Sequence, residues 1–159
     1  MDFDHAPHLE KITGRQKRPA TGDAFRVKLL GGDYYFGLVV DGKMAVGPMA
    51  PGSILAVVFA GSSATGTLTN PDELCERSLL MPAQILNQRP WTMGYAEKIG
   101  TTERFPKVDY VLKSYGFGIF VDRYGNEVVA PSRDTPIGVW GIGDESILSE
   151  AISEAVTAR

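Results

Sequence analysis

The chain has 159 residues and is 43% hydrophobic, enough to bury one sizeable core in a single domain. Its 16 Lys and Arg against 19 Asp and Glu give a net charge of -3, which excludes the domain-wide basic field that holds a phosphate backbone. A longest apolar stretch of Ser53–Gly61, a lone cysteine (Cys75) and two N-terminal histidines (His5 and His8) exclude a membrane helix of about 20 residues, internal disulfides, a zinc site of standard spacing and most histidine-based hydrolysis. The expectation is a soluble, cytoplasmic protein with no metal or other cofactor.

Residues 1–20 are polar and proline-containing, too poor in large apolar groups to offset the cost of ordering, and predict a mobile arm ahead of a globular domain over 21–159. Between Lys11 and Lys28, six Lys and Arg (Lys11, Arg15, Lys17, Arg18, Arg26 and Lys28) against one acid, Asp23, make the entry to the fold locally basic. From Phe25 the pattern has period two, Phe25, Val27 and Leu29 alternating with Arg26 and Lys28. Gly31-Gly32-Asp33 supplies a turn, and the run Tyr34–Val40 completes a hairpin. If Tyr34, Phe36 and Leu38 face the core, Tyr35 faces out. Asp41-Gly42 predicts a second turn with a third strand over Lys43–Val46, and the apolar Ile54–Phe59 a central strand covered on both faces.

Asn70-Pro71-Asp72-Glu73 combines an N-cap, a first-turn proline and acids near the positive dipole end, predicting a short helix that stops before Pro82. Ile85–Tyr95, interrupted by Pro90 and Gly94, suits an edge strand or irregular crossing. Phe117–Asp122, the turn Arg123–Asn126 and Glu127–Ala130 form a further hairpin. Asp144 caps a terminal helix whose stripe is Ile147, Leu148, Ala151, Ile152, Ala155 and Val156, with Glu145, Glu150 and Glu154 opposite. The fold class expected is α+β, a strand-dominated curved antiparallel sheet or small open barrel with a C-terminal helix and one short internal helix.

The chemical motifs are incomplete. Gly61 and Gly66 have phosphate-loop spacing, but Thr67 stands where the lysine belongs. Ser62 and Ser63 lack the second glycine of a nucleophile elbow. His5 and His8 make half a ligand set, and Cys75, followed by Glu76 and Arg77, reads as a small hydrophobe before a reactive thiol. Asp109, Asp122, Glu127 and Asp134 could pair across hairpins, with nothing to set their separation. The aromatics Tyr34, Tyr35, Trp91, Tyr95, Tyr115 and Trp140 serve equally as core or as anchors for a partner.

Lys17-Arg18-Pro19-Ala20-Thr21-Gly22-Asp23, the strand Ala24–Leu29 and the run Gly32-Asp33-Tyr34-Tyr35-Phe36-Gly37-Leu38-Val39 together resemble the opening of the immunity protein 26 family of bacterial polymorphic-toxin systems. Trp91-Thr92-Met93-Gly94-Tyr95 is similar to that family's Trp-x-x-Gly-aromatic segment, and Phe120-Val121-Asp122 with Gly125 and Glu127 to its C-terminal hairpin. The resemblance covers roughly Lys17–Pro131, short of the terminal helix. It implies a non-enzymatic protein that binds and neutralises one cognate toxin domain, often a nuclease, without membrane or direct nucleic-acid contact. An acidic face drawn from Asp109, Asp122, Glu127 and the C-terminal acids would suit a cationic partner. Tyr35, Trp91, Tyr95, Asp122, Tyr124 and Glu127 are the contact residues this reading selects. Two alternatives stay open: a barrel RNase or toxin using Arg26, Lys28 and Asp122, and a small-ligand-binding or structural protein that dimerises through a sheet edge.

Overall fold

The structure, a computed structural model, describes residues 8–48, 52–108 and 110–158. The strands β1 (Asp23–Lys28), β2 (Tyr34–Asp41), β3 (Ile54–Val58), β4 (Gln84–Leu86) and β5 (Glu97–Thr101) form an antiparallel sheet in the order β4-β3-β2-β1-β5. A smaller sheet, ordered β8-β7-β6-β9, consists of β6 (Val111–Ser114), β7 (Ile119–Val121), β8 (Glu127–Val128) and β9 (Ile137–Val139), with β6 and β9 parallel. A 3-10 helix (Pro71–Glu76), the single turn α1 (Arg89–Thr92) and the C-terminal α2 (Glu145–Thr157) complete the described elements. The α+β, strand-dominated architecture holds, and neither sheet closes into a barrel.

The β1–β2 hairpin pairs Phe25 with Gly37 and Val27 with Tyr35 around the expected turn. Both faces of the large sheet are covered. On one face Phe25, Val27, Val39, Ile54, Val58 and Trp91 pack beneath Leu148 and Ile152 of α2. On the other, Phe36, Leu38, Leu55, Val57 and Leu74 meet Leu112 and Val121 of the small sheet. This double covering corrects the outward placement of Tyr35, whose residue is only 9% exposed. Alternation along β2 sorts side chains between two buried layers, and no solvent face exists for Tyr35 to occupy.

β3 is buried along its whole length, as its apolar run predicts, although β2 is the middle strand. The strand expected over Lys43–Val46 does not form. The Asp41 carboxylate accepts the Lys43 N–H at 3.0 Å, Gly42 N–H donates to Thr21 Oγ1 at 2.9 Å, and Arg18 Nη2 donates to the Gly42 carbonyl at 2.9 Å. These bonds turn the chain away from β2, leaving its free edge to β3. Ile85–Tyr95 divides into the edge strand β4 and then α1, where Pro90 occupies the first turn.

Residues 8–20, the described part of the expected arm, are laid against the fold. Leu9 is 3% exposed and bridges to Leu29. Ser149, fully buried on α2, accepts the backbone N–H groups of His8 and Leu9. Gly94, at φ 82°, lies so close to the Thr13 carbonyl that a side chain there would collide with it. The rest of that expected arm, including His5, lies outside the described residues.

The 3-10 helix starts at the Asn70 cap and ends before Pro82, and α2 starts at Asp144, whose Oδ1 accepts the N–H groups of Ser146 and Ile147 at 3.0 and 3.1 Å. Ile147 departs from the predicted stripe and stands outward, whereas Glu145 is buried and forked by Arg89. Between β9 and α2 the chain rounds the β4 edge: Gly143 N–H donates to the Ile85 carbonyl at 2.8 Å and its carbonyl accepts from Asn87 at 2.9 Å. No helix among the described residues is long and apolar enough to cross a membrane.

Candidate functional site

The outer face of the small sheet carries partly exposed apolar side chains. On β6, Leu112 and Ser114 point into the core while Val111 and Lys113 point away. Register carries that outward side across the sheet: Lys113 lies between Phe120 of β7 and Val139 of β9, Phe120 pairs with Val128 of β8, and Val111 pairs with Ile137. The result is a row Val128, Phe120, Lys113 and Val139, with Val111 and Ile137 beside it. Val139 is 51% exposed and Ile137 37%. The Lys113 ammonium sits 5.0 Å from the Tyr115 ring centroid and 5.7 Å from that of Phe120, so its charge rides on aromatic faces. Gly138 is held inward by the Ala83 carbonyl and Leu112, which a side chain there would strike; this contact aims both neighbours outward.

One end of this face opens into a cavity of about 590 Å³ lined by Tyr110, Val111, Arg123, Val128 and Val129 among others. The Arg123 guanidinium stands 5.7 Å from the Tyr110 ring centroid and 5.1 Å from that of Tyr124, and 3.7 Å from the Asp41 carboxylate at the end of β2. It therefore ties the β7–β8 turn to the large sheet. The Tyr110 hydroxyl is buried without a hydrogen-bond partner among the described residues, and burial raises its pKa, opposed by the charge of Arg123. Such a surface offers apolar area, a few fixed charges and a concave end, which is the composition of a protein-binding patch.

The six residues selected from the sequence fall in two places. Tyr35 and Trp91 are buried on the α2 side of the large sheet, and Tyr95 packs against the same core, so Tyr35 and Trp91 do not present a contact surface. Asp122, Tyr124 and Glu127 stand on the β7–β8 hairpin at the rim of the outer face. Asp122 Oδ1 accepts the N–H groups of Tyr124 and Asn126, both at 2.9 Å, a turn-forming role. Tyr124 is exposed. The single acidic face is not assembled: α2, with Glu150 and Glu154, lies on the opposite side of the large sheet from this hairpin, and Glu145 is internal. Asp109 lies outside the described residues.

The basic residues of the RNase alternative do not meet Asp122. From β1 of the large sheet, Arg26 donates to Glu97 Oε1 at 2.8 Å and to the Gly66 carbonyl at 3.1 Å, and Lys28 pairs with Glu10 at 2.9 Å. The Gly61–Thr67 loop packs back on the fold, Ser63 exchanging backbone hydrogen bonds with Tyr34. Desolvation raises the Cys75 thiol pKa, Arg104 opposing and Glu76 adding to it, so the nucleophilic thiolate is disfavoured. Among the described residues no three His, Cys, Asp or Glu side chains gather into a metal-holding group.

The sequence reading missed Val111, Phe120, Val128, Ile137 and Val139 as a surface. Their signal was available in part, since Val111/Lys113 and Ile137/Val139 each alternate around an inward residue. No family model, no curated protein and no solved structure matches this chain.

Proposed function

We propose that this chain is a non-enzymatic binding protein that neutralises a cognate bacterial toxin domain, and that it does so through the outer face of the small sheet. The observation that carries the reading is the row of apolar side chains Val128, Phe120 and Val139 around Lys113, half-buried except for the exposed Val139, beside a cavity and rimmed by the Asp122–Glu127 turn. An interface of this kind needs an apolar centre that loses water on docking and a polar rim that sets register. The resemblance to the immunity protein 26 family supports the same reading. The residues that carry it, Gly37, Trp91 and Gly94 among them, sit at close packing contacts, the role of a scaffold that presents a surface.

The test is recovery of the partner from the source bacterium with the tagged full chain, followed by calorimetric titration and an activity assay of the recovered toxin domain. The expected result is a one-to-one complex of nanomolar affinity in which toxin activity is lost. A folded protein that captures no toxin domain, or that cleaves a generic RNA itself, overturns the proposal.

A further inference from the structure

The segment 8–20 is pinned at its two ends and held lightly between them. Leu9 and Pro19 are buried, and none of residues 10–18 is. The first end is fixed by Leu9, by Ser149 and by the Glu10–Lys28 ion pair at 2.9 Å, the second by the bond from Arg18 to the Gly42 carbonyl at 2.9 Å. Among the described residues, three backbone N–H groups tie down the stretch between. Those of Ile12 and Thr13 share the Gly94 carbonyl at 2.9 and 3.3 Å, and that of Gln16 donates to the Trp91 carbonyl at 3.1 Å.

This stretch closes over Trp91, which is 1% exposed. The indole Nε1 is shut off from water and has no hydrogen-bond acceptor among the described residues. Closing the segment over an unpaired donor desolvates it with nothing in return, so the closed arrangement carries a cost that disappears once water reaches the indole. The cover is also loosely seated: a cavity of about 510 Å³ is lined jointly by residues 15–20, Asp23, Trp91 and Lys98. On its other side Trp91 is firmly packed, meeting Phe25 edge-on with centroids 5.2 Å apart. The weakest cover over the indole is therefore the polar segment.

We infer that residues 10–18 form a lid over Trp91, opening as a unit about its two pinned ends while both sheets stay folded. Opening gives up the bonds of Ile12, Thr13 and Gln16, uncovers no buried side chain of the lid itself and supplies the indole N–H with a water acceptor, so it costs far less than global unfolding. Trp91 is thereby a gated contact: an acceptor group on a partner reaches the indole N–H only in the open state, with an affinity lowered by the fraction of molecules that are open. The lid does not depend on the toxin-binding reading.

The experiment is native-state hydrogen exchange of the full chain by NMR, following the amides of Ile12, Thr13 and Gln16, the Trp91 indole N–H and the slowest amides of β2, without urea and at low urea. The expected result is that the first four protons share one protection factor, at least about a hundredfold below that of β2, and that urea hardly changes it while β2 protection falls steeply. A Trp91 indole as protected as β2, or one that exchanges independently of the three amides, overturns the lid. Gly94→Ala is a second check, because its Cβ would sit 2.2 Å from the Thr13 carbonyl oxygen and wedge the segment away. It should strip protection from the same four protons and leave β2 protected. Four protons unchanged in this variant, or protection lost throughout β2 as well, would make the segment part of the cooperative core and overturn the proposal.

Discussion

The ring of Phe25 lies across the backbone of its cross-strand partner Gly37, so close that a Cβ on residue 37 would sit 2.6 Å from Cε2 and nearer still to Cζ. The same ring meets Trp91 edge-on, with centroids 5.2 Å apart and planes at 74°. Phe25 has no lateral room, being fully buried between β2 and α1. Gly37→Ala is therefore expected to destabilise the fold by about 1–3 kcal/mol or more through overpacking. A urea titration followed by tryptophan fluorescence measures it; an unchanged midpoint would show that the ring can move.

Leu9 anchors the polar segment 8–20. Leu9→Ala should cost about 2–3 kcal/mol, within the range for emptying a buried leucine site. Ser149→Ala removes the acceptor shared by the His8 and Leu9 N–H groups. A double-mutant cycle should show the two losses to be non-additive, because both act by releasing the same segment. Limited proteolysis between residues 10 and 20 should accelerate in each variant, and strict additivity would argue against a common action.

Glu145 and Arg89 form a forked pair, with Oε1 2.7 Å from Nη2 and Oε2 2.9 Å from Nε, at a carboxylate whose side chain is only 9% exposed. The hydrogen bonds from Arg89 lower the Glu145 pKa, outweighing the opposing effect of desolvation. A carboxyl with a folded pKa below its unfolded value contributes stability that is complete above the unfolded pKa and is lost as pH falls through the folded one. Arg89→Ala should accordingly destabilise the protein at neutral pH, and the gap from the parent should narrow on acidification. Denaturation midpoints at pH 7 and pH 4 decide this, and a gap that widens with acid would refute it.

Asp122 reads as a turn former through its two backbone acceptor contacts. Asp122→Ala should cost about 1 kcal/mol or less and speed amide exchange at Tyr124 and Asn126, with Asp122→Asn retaining most of the effect of the native side chain. If Asp122→Ala instead leaves exchange untouched and abolishes partner binding, the residue is a contact in its own right.

Val139 and Ile147 have nearly equal exposure, 51% and 49%, on opposite layers of the molecule. Substituting either by Asp should change stability by no more than about 0.5 kcal/mol, as at other surface sites. Under the proposed function Val139→Asp weakens toxin binding by more than about tenfold while Ile147→Asp leaves it intact. The reverse pattern would move the interface to α2.

The legible parts of this sequence are those whose stabilising contacts are local. Phe25–Val40 announces its hairpin through alternation on either side of a glycine turn, and α2 through the Asp144 cap and the Leu148/Ile152 stripe. β5 and β9 are different. Glu97–Thr101 is polar and half exposed, made a strand by pairing with β1, and Ile137–Val139 is three residues long and pairs in parallel with a strand more than twenty residues earlier. Neither leaves a periodic trace long enough to read. The small sheet, and with it the outer face, therefore emerges from pairing between distant segments. Tyr35 was misplaced because period two reports which residues share a side and is silent on whether the second side is wet.

The passage of the chain around β4 bears on self-association. Gly143 occupies the outward backbone groups of Ile85 and Asn87, so β4 offers no free ladder to the strand of another molecule. At the far side of the same sheet, β5 exposes Lys98 and pairs Glu97 with Arg26, placing charge where an incoming strand would have to dock. Four largely buried strands and a half-exposed fifth, with one stapled margin and one charged margin, form a sheet that is apolar inside yet has little means of extending into a fibril.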